Sequence, residues 1–307
     1  MQTSFQPLVT IGFPVYQGEK FLEKSLPKIC NQSYKNLEII VIDDNSKDKS
    51  FEICKKIHSK FKNFKLILNK KNLGSWDNFK KILQKSKGEY FCWACQDDFF
   101  DEKFVEKQVK VFATDQNVVA TVPSWDLIKS KKVILTFNYN NYTPPQNESK
   151  FSAALNVFRS RRINGIREKN NMFIHGLIKK NIFINIINSY NGIIVSERVI
   201  VFFLALYGKL FFIEEKLWKR TNREHISSRP DRINDPALNL IKKIKNPFLH
   251  NIKTMTIMTF RNRSLNLFKK VLSLSLIFII ILRRIKINVL TNLEPIIRRL
   301  KKIKVIK

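Results

Sequence analysis

The sequence predicts an α/β fold, a sandwich in which helices cover both faces of a mostly parallel central sheet. The first observation is that short apolar runs alternate with amphipathic helical segments, at short and even intervals, from Leu8 to Asp98. The second is that these apolar runs end in turn residues or acids, as buried strands do where a loop begins. Right-handed crossovers place the carboxyl ends of such strands along one edge, where α/β proteins bind their ligands.

The N-terminal part of the chain is predicted to be β-α-β-α-β-α-β. Leu8–Val15 is an apolar run broken by Gly12 and Pro14, which predicts a buried strand that opens into a loop. Apolar side chains then recur at helical spacing from Glu19. The next predicted elements are a strand at Glu38–Asp43, helix Ser50–Lys60, strand Phe64–Leu68, a helix from Ser75 to Lys87, and a strand through Cys92.

The following part of the chain is predicted to mix helices and strands less regularly. Helical spacing runs from Asp101 to about Phe112, and Tyr139–Lys150 is polar and contains two adjacent prolines, which predicts a loop. The other predicted elements are a strand at Val118–Val122, a helix at Phe151–Arg162, an apolar helix at Val199–Tyr207, and a strand at Leu210–Ile213.

Paired carboxylates follow two of the predicted strands. Asp43 and Asp44 end the second strand, and Asp97 and Asp98 end the fourth. Two carboxylates at such a point can hold a divalent cation against phosphate oxygens. The alternative for the second pair is that it caps the helix starting near Asp101.

The loop after the first strand, Pro14–Tyr16, is expected at the same edge, so that three segments converge on one crevice. This convergence favours a binding role for the acids. Neither G-x-x-x-x-G-K-[ST] nor G-x-G-x-x-G occurs in the sequence, and the chain has only 8 glycines. A nucleotide bound in this crevice would therefore need a metal to neutralise much of its phosphate charge.

The composition is that of a globular protein with a strong positive charge. The chain has 307 residues, of which 44% are hydrophobic and 26% charged, enough for one large domain or two smaller ones. Its formal net charge of +31 predicts an anionic membrane or a polyanion as partner. Abundant Lys, Ile, Asn and Phe can also reflect AT-rich coding, so the location of the charge matters more than its sum.

The cysteines indicate a reducing compartment. Cys92 and Cys95 have CxxC spacing, but no second CxxC completes a zinc site, and both lie in an apolar run that predicts buried thiols. Nothing in the spacing of the cysteines suggests a disulfide framework. The first residues contain neither a basic segment nor a leading apolar run, so we expect no signal peptide and a cytoplasmic location.

The tail, residues 236–307, is basic and amphipathic, and Glu294 is its only acid beyond Leu238. An apolar run, Val271–Leu282, lies between two basic pairs. As a helix this run would be roughly 18 Å long, whereas a bilayer core needs about 30 Å. We therefore expect a helix on, or shallowly inserted into, the surface of an anionic membrane. The alternative is a helix packed on the catalytic domain.

The order of these features resembles the family 2 glycosyltransferases of the GT-A fold, over roughly residues 8–230. Five motifs carry the resemblance, and they occur in the order and at the spacing of that family. They are Phe13–Glu19 for the P-x-Y-N-x-E loop, Asn31–Tyr34 for the S-x-x-x-Q-[ST]-Y helix end, Val41–Ser46 for V-D-D-x-S, Asn72–Gly74 with Asn78 for N-x-G…N, and Asp97-Asp98 in place of D-x-D.

The resemblance implies a GT-A-like αβα sandwich that transfers a sugar from a nucleotide diphosphate sugar to an acceptor hydroxyl, usually with inversion. It implies that Asp44 binds the nucleoside, Asp97 faces the ribose and donor sugar, and Asp98 ligates Mg²⁺ or Mn²⁺ bridging the phosphates. Many members of the family carry a third acid where this chain has Cys95. The other implied donor-binding residues are Pro14, Tyr16, Glu19, Asn72 and Asn78.

The resemblance also implies a catalytic base on the acceptor side, because inversion requires removal of the hydroxyl proton. Ser196-Glu197-Arg198 is similar to the S-[DE]-R element of the family, which makes Glu197 the implied base. The alternative is that Glu197 only stabilises a helix N-terminus. Arg220 and His225 resemble the R-x-H pattern with extra residues between them. Together with Arg198 they are the implied phosphate or acceptor contacts, the alternative being an ordinary surface loop.

We therefore expect a GT-A domain over residues 1–235, with a nucleotide-sugar half at 1–100 and an acceptor half at 101–235. The expected acceptor is a saccharide or a lipid-linked saccharide on the cytoplasmic face of the plasma membrane, in surface glycan synthesis. A sugar nucleotidyltransferase remains an alternative, although Phe13–Glu19 lacks its glycine-rich basic loop. A nucleic-acid-binding protein is suggested by charge alone, and the sparse aromatic residues of the tail argue against a nucleic-acid partner.

Overall fold

A sheet of nine strands forms the centre of the part of the molecule that the structure describes. The computed structural model describes residues 5–61, 63–129, 132–137, 154, 162–163, 166–167, 172–190, 196–221, 244 and 246–303, with side chains as far as residue 285. The strands of the sheet are β1 (Val9–Val15), β2 (Leu37–Asp43), β3 (Phe64–Leu68), β4 (Tyr90–Trp93), β5 (Phe99–Phe100), β6 (Val118–Lys129), β7 (Lys132–Phe137), β10 (Ile178–Lys179) and β11 (Lys209–Thr221); β8 (Arg162–Ile163) and β9 (Ile166–Arg167) pair separately.

The half of the sheet that contains β1 is fully parallel, in the order β3-β2-β1-β4. Val9, Ile11 and Phe13 on one face of β1 and Thr10 on the other are all fully buried, as expected where helices cover both faces of a parallel sheet. The predicted alternation of strands and helices is confirmed here, and the carboxyl ends of β1, β2 and β4 lie at the same edge. β4 ends at Trp93, so the two acids of its pair stand in the loop that follows the strand.

The other half of the sheet is mixed. The strand β10 is antiparallel to both β4 and β6, whereas β11 runs parallel to β6 and antiparallel to β5. The predicted strands at Val118–Val122 and Leu210–Ile213 exist, but β6 has 12 residues and β11 has 13, so both are longer than predicted. The mostly parallel α/β sandwich is confirmed as the fold class.

Eight α-helices are described. They are α1 (Glu19–Cys30), α2 (Ser50–Lys60), α3 (Ser75–Lys85), α4 (Phe104–Thr114), α5 (Lys180–Asn188), α6 (Glu197–Tyr207), α7 (Pro247–Arg261) and α8 (Leu267–Ile303). The helix α6 is the most buried of them, with every side chain from Val199 to Leu206 in the core, because its sequence is apolar on all faces.

Gln32, which follows α1, fixes the segment after the Asp97-Asp98 pair. Its Oε1 accepts a hydrogen bond from the Val105 backbone at 3.1 Å, and its Nε2 donates to the Asp101 carbonyl at 2.8 Å. The helix α4 begins at Phe104, and the Oδ1 atom of Asp101 accepts from the Lys103 backbone. The alternative in which Asp97 and Asp98 cap a helix is therefore wrong.

The described part of the tail forms two helices joined by a short turn. The helix α8 has 37 residues, so the predicted run Val271–Leu282 is only the first part of a much longer helix. No helix among the described residues is both long and apolar enough to cross a membrane. The predicted loop Tyr139–Lys150 and His225 lie outside the described residues, as does most of the predicted helix Phe151–Arg162.

Candidate active site

A cavity opens at the edge of the sheet where β1, β2 and β4 end. Its wall consists of the loop after β1, the residue after β2, the beginning of α3 with the loop before it, and the segment after β4. The lining residues are Pro14, Val15, Tyr16, Asp44, Asn72, Gly74, Ser75, Asn78, Phe79, Cys95, Gln96 and Asp97. All the predicted donor-binding residues except Glu19 are therefore brought together in this wall.

Asp44 is a buried carboxylate at the carboxyl end of β2. Its Oδ1 accepts hydrogen bonds from Asn69 Nδ2 at 2.7 Å and from the Leu73 backbone at 2.9 Å, and its Oδ2 accepts from the Gly74 backbone at 3.0 Å. Gly74 has a φ of 83°, in the left-handed region where a glycine is favoured. The carboxylate thus holds the loop before α3 in a defined position in the cavity wall.

The asparagines extend this network. The Oδ1 atom of Asn78 accepts from Asn69 Nδ2 at 3.3 Å, and its Nδ2 donates to the Ile42 carbonyl at 3.2 Å. Asn72 Oδ1 accepts from the Gly74 backbone at 2.7 Å. The sequence interpretation misses Asn69, although this residue directly follows β3 and so carries the same strand-end signal as the acids.

The loop after β1 is held by the side chain of Gln96. Its Oε1 accepts from the Tyr16 backbone N–H at 2.9 Å, and its Nε2 donates to the Tyr16 carbonyl at 2.9 Å. Glu19 lies outside the cavity wall, and its Oε2 accepts from the Lys49 backbone at 3.1 Å. The structure therefore gives Glu19 a role in joining α1 to the loop before α2. Gln96, after Asn69, is the second residue of the site that the sequence interpretation misses.

The two acids after β4 have different surroundings. Asp97 lines the cavity, whereas Asp98 is buried behind it. Asp98 Oδ2 accepts from Trp218 Nε1 at 3.1 Å, and Asp98 Oδ1 accepts from the Thr221 backbone at 3.2 Å. The Thr221 hydroxyl also donates to the Asp97 carbonyl. These bonds join the segment after β4 to the end of β11.

Burial raises the pKa of the Asp98 carboxyl, and the neighbouring Asp97 raises it further, while Arg220 and the two hydrogen bonds lower it. Both oxygens of Asp98 already accept hydrogen bonds from N–H donors of β11. Of the two acids, Asp97 lines the cavity and Asp98 does not, so Asp97 has the better position to meet a ligand there.

Glu197 and Arg220 bring the second half of the chain to this site. Glu197 is the exposed first residue of α6, and Arg220 lies near the end of β11. Burial would lower the pKa of Arg220, but its pKa is raised because the negative charges of Asp98, Glu197 and Asp97 lie close to the guanidinium. The charge of Arg220 thus interacts with acids from both halves of the chain, Asp97 and Asp98 from the first and Glu197 from the second. Arg198 follows Glu197 in α6 and is half-buried.

Cys95 and His175 complete the centre of the site. Cys95 lines the cavity and is half-buried, so it is less enclosed than predicted, and its Sγ lies 3.9 Å from His175 Nδ1. Burial raises the pKa of the Cys95 thiol, and the nearby acids raise it further, so the thiol is protonated at neutral pH. His175 is buried, and its ring lies 5.5 Å from that of Trp218 between centroids.

The described residues contain no cluster of three or more His, Cys, Asp or Glu side chains that could hold a metal by themselves. The cavity wall contains two carboxylates, Asp44, which holds the loop before α3, and Asp97, together with the neutral thiol of Cys95. Mg²⁺ is commonly bound by one or two carboxylates together with substrate phosphates and water. The residues therefore fit a cation that arrives with a diphosphate, and they do not fit a closed protein metal site.

The fold and this cavity define a class of enzyme with an α/β sandwich that binds its ligand at the carboxyl ends of parallel strands. A family model described as "Glycosyl transferase family 2" matches residues 10–178, which is more than half of the chain. The chain therefore belongs to glycosyl transferase family 2. Membership favours an enzyme that acts on sugars over a nucleotidyltransferase or a nucleic-acid-binding protein.

The relatives are consistent with this assignment. An uncharacterised glycosyltransferase of Rickettsia typhi is 32% identical over 158 residues, which cover 51% of this chain and 47% of that protein. Another, from Haemophilus influenzae, is 38% identical over 115 residues, covering 38% and 46%. The chain thus spans about half the length of the curated relatives that it matches.

The fold is also similar to a solved glycosyltransferase structure. S. aureus TarS, residues 1–349 in complex with UDP-GlcNAc, superposes with a TM-score of 0.59 at 14% identity, covering 86% of this chain and 69% of that one. At this identity the similarity shows a shared GT-A-like fold, as the resemblance implied.

Proposed function

We propose that the chain transfers a sugar from a nucleoside diphosphate sugar to the hydroxyl of a saccharide or lipid-linked acceptor, with inversion at the anomeric carbon. The observation that carries the proposal is that acids from both halves, Asp97 and Glu197, both raise the pKa of Arg220 through their charge. Asp97 belongs to the cavity at the sheet edge, and Glu197 begins a helix of the second half. A displacement reaction needs groups on both of these sides.

On the donor side, the Tyr16 loop and Asp44 bind the nucleoside, with Asn72 and Asn78 shaping the wall. Mg²⁺ or Mn²⁺, bound with the donor, supplies charge neutralisation of the diphosphate leaving group. Asp97 is the residue that we propose for holding this cation, because it lines the cavity. This revises the expectation for Asp98, to which we assign the positioning of Asp97 through its bonds to β11.

On the acceptor side, Glu197 takes the proton of the acceptor hydroxyl. The hydroxyl oxygen bonds to the anomeric carbon while the bond from that carbon to the diphosphate breaks, and the electron pair leaves with the diphosphate. Glu197 is exposed and can therefore meet an acceptor that enters from solvent. Arg220, with its raised pKa, stays cationic and stabilises the negative charge that develops on the leaving group.

The biological setting that we propose is surface glycan or lipid-linked saccharide synthesis at an anionic membrane. Support comes from the basic tail, because the attraction between basic residues and anionic lipids would hold the enzyme near lipid-linked acceptors.

Glu197→Gln should abolish sugar transfer without loss of the fold. Loss of a general base lowers turnover by about 10²–10⁴-fold. The measurement is nucleoside diphosphate release from a panel of UDP-, GDP- and dTDP-sugars with mixed saccharide and lipid-linked acceptors. Glu52→Gln is the matched control, because Glu52 is likewise an exposed acid in a first helical turn. Turnover of Glu197→Gln near that of the control would show that Glu197 is not the base.

A further inference from the structure

The two tail helices carry most of the exposed apolar surface of the described chain. Of the twelve large hydrophobic side chains that are exposed, eight belong to α7 and α8. A monomeric soluble protein rarely gathers such side chains in one place without a binding role. They are Leu249, Phe260, Leu267, Phe268, Val271, Phe278, Leu282 and Ile285.

The helix α8 has two opposite apolar stripes. One stripe, made by Leu276, Ile277 and Ile280, is buried against the rest of the chain. The other, which we call the outer stripe, consists of Leu267, Phe268, Val271, Phe278, Leu282 and Ile285, with exposed fractions from 48% for Leu282 to 78% for Leu267. Its members recur at helical spacing, so they share one face of the helix.

The buried stripe of α8 packs against α7, and this packing sets the direction in which the outer stripe points. The hydroxyls of Thr259 in α7 and Ser273 in α8 are hydrogen-bonded at 2.6 Å. The turn between the helices is tied to α6, because the Tyr207 hydroxyl donates to Asn262 Oδ1 at 2.9 Å. The Lys269 ammonium lies 5.0 Å from the centre of the Tyr207 ring.

A basic side chain lies on each side of the outer stripe. At 100° per residue, Lys270 and Arg283 fall on opposite sides of the line through Val271 and Phe278. No acidic residue occurs between Leu238 and Glu294. An apolar stripe with cations on both sides is the pattern of a helix that lies in the interface of an anionic bilayer.

We propose that the outer stripe of α8 is a membrane-docking surface, with the helix lying parallel to a bilayer that contains anionic lipid. The apolar side chains enter the acyl boundary, and Lys270 and Arg283 contact lipid phosphates. A second copy of the chain fits this face less well, because pairing two such surfaces would bring together the basic side chains of two chains of net charge +31. Docking of this kind is independent of the transfer reaction.

The test is flotation of the full chain with phosphatidylcholine vesicles, with and without phosphatidylglycerol. The wild type should float with the anionic vesicles, and added salt should weaken binding. Phe278→Ser/Leu282→Ser should lower binding by about tenfold or more, because two apolar side chains no longer leave water. Lys270→Glu/Arg283→Glu should lower binding to anionic vesicles by a similar factor of about ten or more.

Matched controls use the same changes elsewhere. Leu68→Ser/Val133→Ser removes two other exposed apolar side chains, and Lys24→Glu/Lys56→Glu makes the same change of charge. Both should float as the wild type does. If Phe278→Ser/Leu282→Ser does not fold, by thermal unfolding, Val271→Ser/Ile285→Ser repeats the test.

Three results would overturn the proposal. The first is that the wild type does not bind anionic vesicles. The second is that the outer-stripe variant binds as strongly as its control. The third is a wild-type dimer in sedimentation velocity that is lost in the outer-stripe variant, while the vesicle binding of the variant is unchanged. This result would assign the face to a second copy of the chain.

Discussion

The side chain of Gln96 joins two segments of the candidate active site, the one after β1 and the one after β4. Its side-chain amide both accepts from and donates to the backbone of Tyr16. Its carbonyl accepts from the Ser25 hydroxyl at 2.7 Å, which ties the same segment to α1. A Cβ atom at Gly18 would lie 2.5 Å from Gln96 Oε1, so the glycine leaves room for this amide. Gln96 therefore sets the position of Tyr16 relative to Asp97, the next residue.

Gln96→Ala should weaken donor binding while sparing turnover. Each of the two lost hydrogen bonds contributes about 0.5–1.5 kcal/mol, so we expect the donor KM to rise by about tenfold with kcat changed by less than about threefold. Gln96→Asn should not rescue the variant because its side chain is one methylene shorter. Gln116→Ala, an exposed glutamine, is the control. A loss of kcat with an unchanged KM would contradict a positioning role.

The sequence locates the acids of the site but cannot show which of them faces the ligand. Asp97 and Asp98 are neighbours in the turn that follows β4, and the sequence of a turn does not show which way each of its side chains points. The choice depends on Trp218 and Thr221, which donate to Asp98 and lie more than a hundred residues away in the chain. No local pattern carries that information. Asn69 and Gln96, by contrast, stand next to positions that the pattern already identifies.

At the scale of the elements, the short segment from Met172 to Leu177 packs closely on β6. The Leu177 backbone donates to Gln108 Oε1 at 3.0 Å, and the Thr121 backbone donates to the Leu177 carbonyl at 2.9 Å. A Cβ atom at Gly176 would lie 1.6 Å from the Thr121 carbonyl oxygen. This contact is with backbone, so a side chain cannot move aside to relieve it. The glycine therefore sets how closely the segment carrying His175 approaches the sheet.

Gly176→Ala should destabilise the protein strongly. Overpacking typically costs about 1–3 kcal/mol, and a clash with the backbone of a central strand should reach at least the upper end of that range. Denaturant unfolding of the variant measures the loss of the free energy of unfolding. Asn117→Ala, at an exposed turn before β6, should change it by no more than about 0.5 kcal/mol. A stability for Gly176→Ala equal to that of this control would contradict the packing described.

The strands β6 and β11 are longer than the apolar pattern of the sequence predicts. Pro123 predicts the end of a strand, yet β6 continues because its partner strand has an irregular register between Ile213 and Lys216. A proline is tolerated at such a bulge since the ladder needs no N–H there. The exposed run from Glu214 to Lys216 likewise interrupts the apolar pattern of β11. Both strands are held together by their pairing, which is a long-range contact.

At the scale of the whole molecule, the candidate active site lies where the two halves of the sheet meet. The parallel half provides the cavity, and the mixed half provides Glu197 and Arg220. Bonds from Trp218 and Thr221 to the Asp97-Asp98 segment join the halves. The basic and apolar tail is evident in the sequence, but the direction of the outer stripe depends on how α8 packs against α7. The helix α6 connects Glu197 to that hairpin over about 16 Å, at 1.5 Å per residue.

The central claim is that the cavity binds a nucleoside diphosphate sugar together with a divalent cation held by Asp97. Thermal unfolding of the full chain with UDP-, GDP- and dTDP-sugars, with and without Mn²⁺, measures this directly. At a ligand concentration of about 100 Kd the stabilisation is about 2.7 kcal/mol, which corresponds to a rise in Tm of roughly 4 °C for a chain of 307 residues. We predict that one class of donor gives this rise only with the metal. Asp97→Asn should lose the rise, and Asp77→Asn, a change at an exposed aspartate in the first turn of α3 that does not line the cavity, should keep it. The claim would be contradicted if no donor raised the Tm. It would also be contradicted if the rise in Tm were the same in Asp97→Asn as in the wild type, or the same without Mn²⁺ as with it.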